Sequence, residues 1–221
     1  MAGSRDFLAE IRAVTNSLPS NLTSTTSIDN IYEVYLLTLV LRAAEAEGAT
    51  ISIKDQDNQY PRRLFFRSSP GYIASNLRDY TYAEIEFPNK PILESHVSIR
   101  VSGKSNVLHE CDVCVLYKSE ADLCRRSRDR IAPRSNKLII NLEAKFYTTS
   151  LTLNLGRSFI GLVADLSSDD SFFVTNTYST SIEKLLSNRN KKWGHNVKPN
   201  TDDTNELLYA IKSTFKNYKA K

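Results

Sequence analysis

Leu108-His-Glu-Cys-Asp112-Val-Cys-Val-Leu-Tyr117 and Leu138-Ile-Ile-Asn-Leu-Glu143-Ala-Lys145-Phe-Tyr147 decide the fold. Each run reads as a core strand, with Val113, Val115, Ile139, Ile140, Leu142 and Phe146 as its apolar packing. Each also carries charge where a core strand should have none. Side chains alternate along a strand, so Glu143 and Lys145 point the same way. An isolated buried charge is expensive, so these carboxylates need a partner, a metal or water. Brought together, Asp112, Glu143 and Lys145 make an oxygen-rich site for a divalent cation with an ammonium beside it. The plainer alternative is a buried carboxylate–lysine ion pair at a strand end.

Helical and strand-like segments flank this pair. Residues 6–18 form a short amphipathic helix, and a Ser/Thr/Asn/Pro connector follows from Pro19 to Ser27. A long helix spans Asn30 to Glu47, with Ser27 or Asp29 to cap it and Gly48 to end it. It is apolar on nearly every side, which marks it as buried. Strands are expected at 50–53, 63–67, 82–87 and 96–102, ahead of the two quoted ones. A helix at 153–166, a strand at 171–175 and a helix at 181–188 come next. Asp203 or Thr204 starts a last helix that runs to Tyr218. The succession predicts an α/β fold, a central mixed β-sheet flanked by helices.

An acid on one strand followed by Glu-x-Lys on the next resembles the PD-(D/E)xK nuclease superfamily. Asp112 matches its first position and Glu143-Ala144-Lys145 its second. No Pro precedes Asp112, a departure that the family often shows. The resemblance covers residues 29 to 190 and implies a restriction-endonuclease-like core. It implies a Mg-dependent endodeoxyribonuclease in which Mn²⁺ substitutes for Mg²⁺. Asp112, Glu143 and the backbone carbonyl of Ala144 would hold the metal, and Lys145 would position or activate water and stabilise charge on the phosphate. Members often place a Glu on the first core helix, which makes Glu33 a candidate; otherwise Glu33 only complements that helix's dipole. Glu110 is either a further ligand or a solvated residue near the strand's start.

The chain has 221 residues, enough for one domain with appendages. We divide it into an N-terminal helix and connector (1–27), a nuclease-like core (28–190), and a basic loop with a C-terminal helix (191–221). Its net charge of +4 and pI near 8.9 permit a nucleic-acid partner without requiring one. Seven cations and three acids between Lys118 and Lys137 give that connector a net +4. It joins the two motif strands, so Arg125, Arg126, Arg128 and Arg130 are expected near the catalytic end, on the phosphate backbone. Arg157 in the first turn of the 153–166 helix is a further phosphate candidate. Arg189-Asn-Lys-Lys-Trp193-Gly-His195 combines cations with rings and suits either nucleic acid or a loop over a partly buried Trp.

Three cysteines argue against a disulfide framework and fit a reducing cytoplasm. Cys111 and Cys114 form C-x-x-C, but they stand three apart on a strand and are expected on opposite faces, as core cysteines. His109 is expected across the strand from Asp112, in a structural role. No signal peptide is visible, and the apolar run from Ile31 to Ala46 is too short and too charged to cross a membrane. Duplex DNA is the expected partner, with a homodimer to cut both strands or further subunits of a defence or repair system. The alternative is a non-catalytic nuclease-like fold that binds nucleic acid or assembles with other subunits.

Overall fold

The computed structural model describes residues 3–75 and 79–221. One seven-stranded sheet runs through it in sequence order: β1 (Thr50–Asp55), β2 (Thr81–Glu86), β3 (Leu93–Ser102), β4 (Leu108–Tyr117), β5 (Leu138–Lys145), β6 (Asp170–Thr175) and β7 (Lys192–Gly194). β1 to β5 form an antiparallel meander, whereas β6 and β7 lie parallel to β5. Parallel neighbours need crossovers, and α4 (Leu153–Asp165) and α5 (Thr180–Asn188) supply them.

The helices α1 (Ser4–Thr15), α2 (Ile28–Ala46) and α6 (Asp202–Ala220) cover one face of the sheet. The long helix α2 buries residues on every side, from Ile31 and Tyr35 to Leu41 and Ala44, because it lies between the sheet and the two other helices. Phe7 of α1 meets Tyr35 edge-on with ring centroids 4.9 Å apart. Such a buried ring contributes roughly 1.5–3 kcal/mol through the apolar area it removes from water. Gly48, at φ +90°, ends α2 where a side chain would be strained. On the opposite face, α3 (Lys118–Arg126) packs through Ala121 and Cys124, and α4 and α5 cover Phe173. No described helix is long and apolar enough to cross a membrane.

The expected α/β architecture with a mixed sheet holds, with four corrections in detail. Residues 63–67 form no strand: their backbone bonds go to Ser20, the Asn21 side chain and Thr81. Inside the basic 189–195 segment, Lys192–Gly194 adds a short seventh strand beside β6. Ser27 sits at the N-cap of α2, but its hydroxyl donates to Asp29 rather than accepting from the helix. Cys111 and Cys114 are both buried, free and in the same apolar cluster, because β4 is kinked between them.

Candidate active site

That kink builds the site. β3 and β4 pair continuously from Leu93–Tyr117 to Ser102–Leu108, except at Ser98 and Asp112. Ser98 has φ +48°, a conformation uncommon for side-chain-bearing residues other than Asn and Asp, and it is buried. The carbonyl of Ser98 accepts from the Gly71 N–H at 3.1 Å, and the Arg100 N–H donates to the Gly71 carbonyl at 2.9 Å. A neighbouring segment thus braces the irregular step. On the other side of β4, the ladder to β5 ends at Val113–Leu142. Beyond that rung the two strands part.

Asp112 occupies the gap. Its Oδ2 accepts the Ala144 N–H at 2.7 Å, where a backbone carbonyl would otherwise have served. In an extended strand a residue's N–H and C=O point to the same neighbour, so the Ala144 carbonyl is also turned towards β4. Lys145 Nζ lies 2.6 Å from Glu143 and 3.5 Å from Asp112. Glu143 and Lys145 stand in register with Phe173 and Thr175, on the face that α4 and α5 cover. Glu33 approaches from α2 on the other face, held by the Ser98 hydroxyl, which donates to it at 2.7 Å. The site is therefore a slot between parted strands, reached from both sides of the sheet.

Acid exceeds base in this slot. Burial first, and then the Glu143 carboxylate, push Asp112 up to about 7, against Lys145 and the Ala144 N–H. Burial and Asp112 push Glu33 up to about 8. Glu110, exposed at the start of β4, is raised by its partial burial and by Glu143. Burial alone would depress the Lys145 ammonium, but Asp112 and Glu143 outweigh it and hold its pKa well above the usual lysine range. Lys145 is thus a fixed cation.

Among the described residues, no three His, Cys, Asp or Glu side chains are gathered closely enough to hold a metal ion by themselves. A hard ion that keeps most of its waters needs only one or two carboxylates. Asp112, Glu143 and the Ala144 carbonyl meet that demand, and the surplus negative charge favours it.

The structure places the other expected residues differently. α3 starts where β4 ends, away from Glu110 and Asp112, and packs on the face opposite α2. A connector between antiparallel strands leaves from the end where the first strand finishes; here the site lies at the other end. Arg125 is consumed by Glu94 at 2.9 Å and Asp122 at 2.8 Å. Arg126 follows it on the same helix, and Arg128 and Arg130 lie in the loop after it. Arg125 therefore does not flank the catalytic end as expected: its guanidinium is spent on Glu94 and Asp122, beside the far end of β4. Arg157 follows β5 on α4, but as the fifth residue of that helix rather than in its first turn, and it bonds to Asn154 at 3.2 Å. His109 pairs with Asp165 of α4 at 2.7 Å and plays a structural part. Ser98 is the residue that sequence analysis missed, because nothing in the sequence marks a serine for positive φ. Comparison with protein-family models, curated proteins and solved structures gives no match.

Proposed function

We propose that this chain is a divalent-metal-dependent nuclease with a restriction-endonuclease-like core, acting on DNA as an endonuclease. One observation carries the proposal: Asp112, Glu143 and Lys145 converge in a slot between parted strands that holds more acid than base. Asp112, Glu143 and the Ala144 carbonyl would hold Mg²⁺, or Mn²⁺ in its place. Bound there, the ion supplies Lewis-acid charge and lowers the pKa of water. Lys145, kept protonated by its two acids, binds a phosphate oxygen and stabilises the negative charge that grows as the phosphodiester is attacked. Glu33 orients water from the α2 side, and Ser98 fixes its carboxylate. A homodimer would place two such slots on a duplex, and the buried free cysteines suit a reducing cytoplasm.

The test is incubation with supercoiled plasmid under Mg²⁺, Mn²⁺ or EDTA. Wild type should nick or linearise it only with metal. Lys145→Ala and Asp112→Asn should each lose at least ~10²–10³-fold in rate, the usual cost of removing one group that stabilises transition-state charge. Undiminished cutting by Lys145→Ala ends the proposal.

A second reading draws on the ion pairs themselves. Lys145 sits against both carboxylates, which leaves a self-sufficient acid–base cluster in a non-catalytic nuclease-like subunit. Calorimetric titration with Mg²⁺ separates the two: the catalytic reading requires binding that Asp112→Asn removes.

A further inference from the structure

Three parallel strands end along one edge of the sheet. Lys145 lies beside Thr175, and Val174 lies beside Gly194, so His195 leaves β7 at the level where Lys145 closes β5. Neighbouring strands are ~4.8 Å apart, which puts β7 about 10 Å from the strand that carries Lys145. Rings follow that edge. Tyr147 comes just after β5, Tyr178 just after β6, and Trp193 and His195 belong to β7 and its exit. The His195 ring lies 4.4 Å from Tyr178 and 4.6 Å from Trp193, nearly parallel to the latter at 22°.

The two tyrosines are held and yet open, whereas Trp193 and His195 are half-buried, Trp193 against the apolar cluster under α4 and α5. Tyr178 is 57% exposed and Tyr147 37%. The Asn176 side chain clasps the backbone of Tyr147 on both sides, accepting from its N–H at 2.8 Å and donating to its carbonyl at 2.9 Å. Asp203 of α6 accepts from the Tyr178 hydroxyl at 3.0 Å and lies 3.1 Å from His195. A ring fixed in advance loses little freedom when something stacks on it.

The strip is not a phosphate site. The cations of the 189–195 segment lie at the other end of β7, where Lys192 pairs with Asp170 at 2.6 Å. The strand thus separates the charges from the rings that the sequence runs together. Aromatic rings recognise flat π-faces, which the unpaired bases of a polynucleotide offer and a duplex hides in its own stack. We infer that Tyr147, Tyr178, His195 and Trp193 form a stacking surface for unpaired nucleotides of a strand that leads to the Lys145 slot. The inference rests on the nuclease reading for the identity of the ligand as a polynucleotide, but not for its measurement.

Trp193 is the only tryptophan of the chain, so its fluorescence reports the strip directly. Metal-free protein in EDTA is titrated with a short single-stranded oligodeoxynucleotide and with a blunt duplex of the same sequence. The single strand should quench Trp193, and the duplex should leave its fluorescence little changed even where it binds the slot, because it has no free base face. Tyr178→Ala should weaken single-strand binding by roughly 5- to 150-fold, the loss of one base–aromatic stack. Tyr178→Phe keeps the ring and should bind like wild type, which separates stacking from the hydrogen bond to Asp203. Equal response to duplex and single strand overturns the inference, and so does wild-type binding by both Tyr178→Ala and Tyr147→Ala. Plasmid cleavage without any fluorescence response removes the stacking strip and leaves the nuclease reading in place. A response without metal-dependent cleavage supports the strip and removes the nuclease reading.

Discussion

Glu94 and Asp112 are both buried carboxylates on neighbouring inner strands, and they behave in opposite ways. Glu94 is fully enclosed, yet the Arg125 guanidinium grips both of its oxygens and His96 Nε2 lies 2.9 Å away. Tyr82 seals the cluster: His96 stacks on its ring at 4.9 Å, and Arg125 lies 4.5 Å from the ring centre. Burial pushes Glu94 up, but His96 and Arg125 win and hold it at about 2. Asp112 has one backbone N–H and a shared lysine, and burial wins. A buried acid whose partners are complete needs nothing more from outside. One whose partners fall short leaves room for a cation. That contrast assigns Glu94 to the architecture and singles out Asp112 as the carboxylate on which the proposed chemistry rests.

The strongest way to break the contrast is to remove one charge from each cluster. Arg125→Ala strands Glu94 in the core without its fork and should cost about 3–5 kcal/mol of stability in urea unfolding. Asp112→Asn relieves repulsion and can still accept the Ala144 N–H, so stability should stay within about 1 kcal/mol of wild type or rise. Equal destabilisation by both variants would make the Asp112 cluster another structural ion pair.

Acid should expose the same difference. Glu94 has a folded pKa held far below its unfolded one, so it contributes stability that is present above the unfolded value. That stability is lost as pH falls from about 4 towards 2, on the order of 3 kcal/mol. Urea midpoints followed down that range should fall steeply for wild type and more gently for Glu94→Gln. Parallel slopes would mean that the salt-bridged cluster carries no linkage.

The sequence showed the period-2 facing of Glu143 and Lys145, the acid on the strand before them and the Glu on the buried helix. Those signals are local: alternation and apolar periodicity need no knowledge of partners. Arg125 shows the limit. Its destination depends on Glu94, a residue far along the chain, and a basic run looks the same whether it faces DNA or a buried acid. Residues 63–67 show another. Leu64 and Phe66 are buried as a strand would bury them, but the backbone finds an Asn side chain instead of a ladder. Cys111 and Cys114 are core cysteines as expected, but alternation put them on opposite faces because it was carried through a kink that only the fold reveals.

The smallest expected effect tests that kink. Ser98 adopts φ +48° and spends its hydroxyl on Glu33. If its purpose is to aim that carboxylate, its contribution to catalysis should pass through Glu33 alone. Ser98→Ala loses one hydrogen bond, about 1 kcal/mol, so kcat should fall several-fold with KM little changed. Glu33→Gln should lower kcat and raise the Mg²⁺ concentration needed for half-maximal rate by ~10–100-fold, the range for groups that orient metal ligands. The double variant should then match Glu33→Gln, because the serine has nothing left to aim. Ser98→Gly offers the complementary check on stability. It loses the same bond but relieves the backbone, so it should unfold about 1 kcal/mol later than Ser98→Ala. Fully additive losses in kcat would sever Ser98 from Glu33 and reduce the irregular step between β3 and β4 to a packing feature.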